Sequence, residues 1–387
     1  MSAATAKGQD DAAASDLILP ERLKRASPSS ASASASASAS TSATPGKRPS
    51  RVRPSRSRLN LALQGGGAHG AFTWGVLDAL LEDQRHQFEG LSGSSAGALN
   101  AVIFANGWMK GGRDGARQGL TDFWTDVGKQ MPPGIVSGDG ETISLSPTGM
   151  WVANWAGHFS PYDLNPLDLN PLRDLLDAHV DFEQLRVRSP FKLFVATTEV
   201  NTGKLRLFRE TEITVDVLLA SSCLPTIHHP IEIDGEPYWD GGFSANPAVF
   251  PLFYECGSPD VLLVLLSPLK REGTPRTLKE IRTRSIELAF SANFMREMRM
   301  FAHAIEFSSP RLVPKGRLER RLQKVRFHMI DSSHLESLER TDTRMLAHGP
   351  FLEFLRDQGR ERANAWLADH SAGVGRRSTL DLKKWFA

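Results

Sequence analysis

LNLALQGGGAHGAFTWGVLDALLED (residues 59–83) and FEGLSGSSAGALNAVIFANG (residues 88–107) decide the fold of this 387-residue chain. LNLALQ has the length and apolar content of a buried strand. The glycines of GGGAHG, Gly65 to Gly70, end it. AFTWGVLDALLED then sets Phe72, Val76, Leu77 and Leu80 on one helical face. FEGLSG reads as a second strand, and SSAGALNAVIFANG as a helix that stops at Asn106–Gly107. This βαβα opening predicts an α/β fold: a mainly parallel central sheet flanked by helices.

Downstream the pattern continues. Residues 107–165 are rich in Gly and Pro and carry an aromatic and Met-rich run that includes Trp151, Trp155, Phe159 and Tyr162. The 131–162 part is expected either to pack as ordinary core and edge or to form a lid or acyl groove. Asn170 as N-cap and Pro171 at the first helical position open a helix. FKLFVATTEV and KLRLF flank Asn201–Thr202–Gly203 as a hairpin, and PIEI and PYW flank Asp234–Gly235 as another, whose outgoing strand delivers Asp240. Asn246–Pro247 is expected to open a helix, and VLLVLL (261–266) and VRFHMI (325–330) to be strands. Residues 274–309 read as mostly helical, with Phe290, Phe294, Met298 and Phe301 as a core stripe, and a final helix is expected over about 345–368.

Composition bounds the rest. Residues 1–57 hold a Ser/Ala repeat followed by Pro, Lys and Arg, which cannot bury enough apolar surface to offset chain entropy; a disordered leader is expected there. The domain proper is expected over 58–387, with its core motifs in 59–340 and a helical segment to 387. A formal net charge of +2 gives no strong field toward nucleic acid. Cys223 and Cys256 form no metal-ligand cluster and no disulfide framework. No secretory segment or run long enough to span a bilayer is seen, so a cytoplasmic or peripheral membrane location is expected. Two basic stretches, Arg51 to Arg58 and residues 311–326, are expected to be solvated, with an anionic membrane as the alternative contact. The oligomeric state is left open.

Three short patterns carry chemistry. GGGAHG, between a strand and a helix, lets backbone N–H groups converge on an anion at the positive end of the helix. Gly93-Ser94-Ser95-Ala96-Gly97 is a GxSxG at a second strand-to-helix turn, which exposes a serine hydroxyl. Asp240-Gly241-Gly242 is a carboxylate at a strand end followed by two glycines. Adjacent parallel strands place the first two at the carboxyl edge of the sheet, where a nucleophile and an anion site serve acyl transfer. GxGxxG after a strand also marks dinucleotide folds, but those want an acid at the end of the second strand. Here that strand runs into the serine turn, and Glu89 comes before its end. A noncatalytic lipid- or nucleotide-binding protein is the reading from a different class.

With these motifs in order, the chain resembles the patatin-like phospholipase family over roughly residues 59–340: GGGAHG resembles its glycine-rich oxyanion motif, GSSAG its nucleophile motif and DGG its aspartate motif. The segment ASSCLPTIHHPIEIDGEPYWDGGFSANPA resembles the stretch leading into that aspartate. The resemblance implies a lipid acyl hydrolase with Ser95 as nucleophile, Asp240 as general base and no metal or cofactor. It implies an oxyanion loop at Gly65, Gly66, Gly67, Ala68 and Gly70, with Gly66 and Gly67 as donors, flanked by Gly93, Ser94, Ala96, Gly97, Gly241 and Gly242. An esterase or depolymerase acting on a storage polyester or short-chain ester carries the same motifs. The rival chemistry is a Ser–His–Asp triad using His328 or His334, but an α/β-hydrolase builds several strands before its serine turn. His69, His228 and His229 are read as orienting, packing or loop residues.

Overall fold

In a computed structural model, residues 57–271, 273–308 and 316–387 are described. The Ser/Ala leader, Arg51 to Arg56 and the start of the 311–326 stretch lie outside them. The opening is β1 (Arg58–Leu63), α1 (Gly70–Asp83), β2 (Gln87–Ser94) and α2 (Ala96–Lys129). An excursion follows: β3 (Val136–Ser137), β4 (Ser144–Leu145), α3 (Pro147–Ala156), α4 (Pro161–Leu164), α5 (Pro171–His179) and α6 (Phe182–Arg188). The chain returns to the sheet with β5 (Lys192–Glu199), β6 (Leu205–Arg209), α7 (Val215–Ser221), β7 (Ile231–Ile233) and β8 (Glu236–Asp240). It closes with α8 (Phe250–Glu255), β9 (Asp260–Val264), α9 (Leu278–Phe307), α10 (Arg317–Leu322), β10 (Arg326–Ile330), α11 (Glu336–Glu339), α12 (Gly349–Asp369) and α13 (Leu382–Phe386).

The main sheet has the order β10-β9-β1-β2-β5-β8-β7, with β6 also paired to β5. β10, β9, β1, β2 and β5 are parallel, β6 and β8 run antiparallel to β5, and β7 pairs antiparallel with β8. Pleating sends alternate side chains into two apolar layers. Leu61, Leu63, Leu262 and Val264 pack with Phe72, Phe104 and Phe351 of α1, α2 and α12. Ala62, Val261 and Leu263 pack with Phe253, Phe294 and Phe386 of α8, α9 and α13. Both faces are covered, which is why the parallel strands read as continuous apolar runs. Phe294, Met298 and Phe301 are core, as their spacing predicts.

Three boundaries differ from the sequence reading. α2 does not stop at Asn106–Gly107; it runs on, breaks where Gly111 and Gly112 leave helical geometry, and resumes to Lys129. Asn106 is used in tertiary contacts instead: its amide donates to His179 O at 2.7 Å and accepts from Asp181 N at 3.1 Å. α8 begins at Phe250 rather than at Asn246–Pro247. Its first amides, Val249 and Phe250, donate to the carboxylate of Glu297 on α9, a cap supplied from distant sequence. The last long helix starts at Gly349, after a 3-10 turn at Thr341–Met345.

Candidate active site

The site forms because two strands meet end to end. β2 pairs with β5 as far as Ser94↔Ala196. β8 arrives from the opposite direction and pairs with the next residues of β5, ending at Asp240↔Thr197. Ser95 is the residue at which the chain leaves β2, and Asp240 the one at which it leaves β8. Asp240 is buried, at 1% exposure, with its carboxylate within the influence of the Ser95 hydroxyl. Gly242 N–H donates to its Oδ1 at 2.7 Å. Burial drives the Asp240 pKa up to about 7; the Gly242 hydrogen bond and the Ser95 hydroxyl oppose that rise without cancelling it.

Ser95 has φ 52°, in the left-handed region that L-residues rarely occupy, and caps α2. Its N–H donates to Ser221 Oγ at 3.0 Å, and Ser221 Oγ donates to Ala196 O at 2.7 Å. The rest of GSSAG is fixed by packing and hydrogen bonds. Gly93 and Gly97 lie backbone to backbone, Ala96 opens the helix, and the Ser94 hydroxyl donates to Ala245 O. Ser92 Oγ donates to Ala248 O at 2.6 Å, so the segment after Asp240-Gly241-Gly242 is tied to β2. Gly241 packs directly on Ala196 O.

The glycine loop lies against the serine turn. A Cβ on Gly65 would stand 2.8 Å from Ser95 Cβ. Gly65 N–H is already used: it donates to Asn246 Oδ1 at 2.7 Å. Gly70 N–H points back to Gly67 O and Ala68 O, and His69 N–H to Gly66 O at 3.3 Å. Gly66, Gly67 and Ala68 are therefore the loop amides left over by the turn. Gly67 has φ 60° and packs against Arg344 O, a position that admits no side chain. The Arg344 guanidinium donates to Ser267 Oγ at 2.8 Å, close to the loop.

His69, His328 and His334 each have other surroundings. His69 is buried, bonded through Nε2 to Thr343 Oγ1 at 2.8 Å, and held well below the ordinary imidazole pKa by burial and then by Arg344 and Arg271. His328 is buried between Asp260 Oδ1 (3.1 Å) and Thr379 Oγ1 (2.8 Å). His334 follows β10, which β9 and β1 separate from β2; three strand spacings make about 14 Å. Glu89 accepts from Gly257 N and Ser258 N and takes no part in the loop. Among the described residues, no three His, Cys, Asp or Glu side chains cluster in a way that could hold a metal ion. Cys223 and Cys256 are buried free thiols, each pushed up to about 12 mainly by burial. The sequence reading does not single out Ser221 and takes Asn246 only as a helix start; both sit in small-residue segments, ASS and SANP, where nothing local announces a distant backbone partner.

The patatin-like phospholipase sequence profile matches residues 61–253, a span that takes in the glycine loop, Ser95 and Asp240. No curated protein matches the chain. Among solved structures, VipD from Legionella pneumophila is similar at 17% identity, over 81% of this chain and 67% of that one, with a TM-score of 0.35. By the profile match and the motifs it spans, the chain belongs to the patatin-like phospholipase family.

Proposed function

We propose that this protein hydrolyses carboxylic esters of lipids, with Ser95 as nucleophile and Asp240 as the base. The observation that carries the reading is the strand register that brings partly exposed Ser95 and buried Asp240 to one point of the sheet edge, with the Asp240 pKa raised to about 7 by burial. An ordinary aspartate is too weak a base for a hydroxyl; one near neutrality gains driving force while remaining substantially ionised. Ser95 Oγ attacks the ester carbonyl as Asp240 takes its proton. The charge that develops on the carbonyl oxygen is met by the free amides of Gly66 and Gly67, aided by the N-terminal end of α1. Asp240 then returns the proton to the departing alcohol, leaving an acyl group on Ser95. A water deprotonated by Asp240 attacks the acyl carbonyl; the acyl–Oγ bond breaks, Asp240 returns the proton to Ser95 Oγ, and the carboxylic acid leaves. No step calls for a metal or cofactor. Ser221 and Asn246 act as positioning residues, one on the Ser95 backbone and one on the loop.

Two measurements test the reading. A fluorophosphonate should label Ser95 in the parent and leave Ser95→Ala unlabelled; no labelling of the parent would favour a noncatalytic binding protein. A panel of phospholipid, neutral lipid, polyester and soluble short-chain esters then compares turnover directly. Preference for the polyester or short-chain members would move the substrate assignment while leaving the chemistry in place.

A further inference from the structure

Residues 130–172 leave and rejoin the fold at the edge that carries Ser95. α2 starts at that edge, runs away from it, breaks at Gly111–Gly112 and comes back. The return is fixed by Trp124 Nε1, which donates to Asn100 Oδ1 at 2.9 Å, with the Trp124 ring against Gly70. The excursion is also tied to the loop that leads into β7: Tyr162 stacks on His229 with ring centroids 4.1 Å apart and 24° between planes. Cys223, at the start of that loop, accepts from Asp240 N–H through its carbonyl at 2.8 Å.

This excursion turns apolar side chains outward. Trp151 is 67% exposed and Leu167 78%; Trp155, Phe159, Tyr162 and Leu169 are exposed as well. So dense an apolar display within 20 residues is uncommon on a surface that meets only water. Indole and phenol rings suit the headgroup layer of a bilayer, with an apolar body and a polar tip. The charge pattern narrows the partner. From Gln130 to Leu172 the sequence has no Lys or Arg, and its acids are Asp139, Glu141, Asp163 and Asp168. Arg317, Arg320, Arg321 and Lys324 instead line one shallow cavity with Pro259, just before β9. That is the amino edge of the sheet, level with Gln87, and β2 separates it from Ser94 by seven residue rises, about 23 Å. An anionic surface drawn to these cations would hold the Ser95 edge away from the lipid.

We propose that residues 147–169 are a docking surface for a zwitterionic lipid bilayer, which seats the carboxyl edge of the sheet on the membrane. The proposal rests on the lipid-ester reading above for its biological sense. Apolar insertion supplies the affinity, and basic residues do not.

The test is co-sedimentation of the full chain with phosphatidylcholine vesicles, with and without added phosphatidylglycerol, at low and high salt. Trp151→Ala/Trp155→Ala and Leu167→Glu/Leu169→Glu variants are run beside the parent, and turnover of a soluble short-chain ester is measured on the same samples. The parent should bind pure phosphatidylcholine, with salt or phosphatidylglycerol changing affinity by less than about threefold. Each double variant should bind at least about tenfold more weakly with soluble-ester turnover within about twofold of the parent. Binding that needs phosphatidylglycerol and collapses in high salt would overturn the proposal in favour of the basic edge. Absence of vesicle binding overturns it outright, as does lipid-free self-association that either double variant abolishes. Vesicle binding of the expected kind without ester turnover would leave the docking surface standing and remove the hydrolase reading instead.

Discussion

Ser94 and Asp240 occupy consecutive positions along one edge of β5, Ser94 opposite Ala196 and Asp240 opposite Thr197. β6 pairs with the same two β5 residues from the other edge, so β2 and β8 share a single lane and meet head to head. A slip of one residue in β8 would turn the residue 240 side chain to the other face of the sheet. Strand register is therefore what brings the serine hydroxyl and the carboxylate together.

The strained serine gives the first prediction. Ser95→Ala and Ser95→Gly should both lack ester hydrolysis while remaining folded. Because Ser95 sits at φ 52°, the glycine variant should be the more stable of the two by about 1–3 kcal/mol in urea unfolding. Turnover within tenfold of the parent in either variant, or equal stability of the pair, would contradict this.

The glycine loop separates scaffold from chemistry. At Gly67 a methyl would meet Arg344 O in a left-handed backbone conformation, so Gly67→Ala should lose about 1–3 kcal/mol of stability together with activity. Gly66 has φ 179°, outside the left-handed region, and its added methyl would meet side-chain atoms alone: Leu266 Cδ1 at 3.1 Å, with Leu266 Cβ and His69 Cβ at 3.6 Å. Gly66→Ala should keep its melting temperature, so any fall in single-turnover acylation reports on the amides themselves; loss of one oxyanion donor is worth roughly a hundredfold. Equal melting temperatures for the two variants would show that the Gly67 conformation is not required.

Asn246 and Ser221 are predicted to act through position. Removing the Asn246 amide frees Gly65, and removing the Ser221 hydroxyl frees Ser95 N–H. Asn246→Ala and Ser221→Ala should slow acylation by about tenfold or more while the pH profile keeps its shape, since misplacement by about 1 Å is that costly. A shifted profile would mean that one of them tunes Asp240 directly.

The raised pKa of Asp240 predicts two pH effects of opposite sense. As a base the group must be ionised, so kcat/KM should rise from acid pH through about 7 and level above it. For stability, folded Asp240 keeps a proton between the ordinary aspartate value of about 3.9 and about 7, whereas the unfolded chain releases it. Folding therefore loses stability as pH rises through that window, and the loss is complete above it. Glu297, also pushed up to about 7 by burial, acts in the same direction, so the parent must be compared with Asp240→Asn. The variant's stability advantage should grow from acid to alkaline pH. A flat difference between the two would show that the buried carboxylate carries no penalty.

Much of this was legible in the sequence because it is local. Strand-glycine-helix order places the loop and the serine turn, and Asp234–Gly235 announces the hairpin that carries Asp240. What was not legible depends on partners far along the chain. The Asn106–Gly107 pair looks like a helix stop, yet Asn106 is held by His179 and Asp181, and the helix continues. The N-terminus of α8 looks as if Asn246–Pro247 should set it, yet Glu297 does so from 47 residues beyond Phe250, while Asn246 serves Gly65 across 181 residues. The Gly65 amide is taken by the distant Asn246 side chain, which nothing in the local glycine motif announces.

The central claim is that Asp240, and no histidine, accepts the serine proton. Single-turnover acylation by a chromogenic ester, per folded molecule, tests it most directly in Asp240→Asn, with His334→Ala and His328→Ala beside it. The account predicts that Asp240→Asn loses about 10²–10⁴-fold while still melting cooperatively, and that the folded histidine variants stay within about tenfold of the parent. An active Asp240→Asn alongside a folded but inactive histidine variant would contradict it and put a triad in place of the dyad.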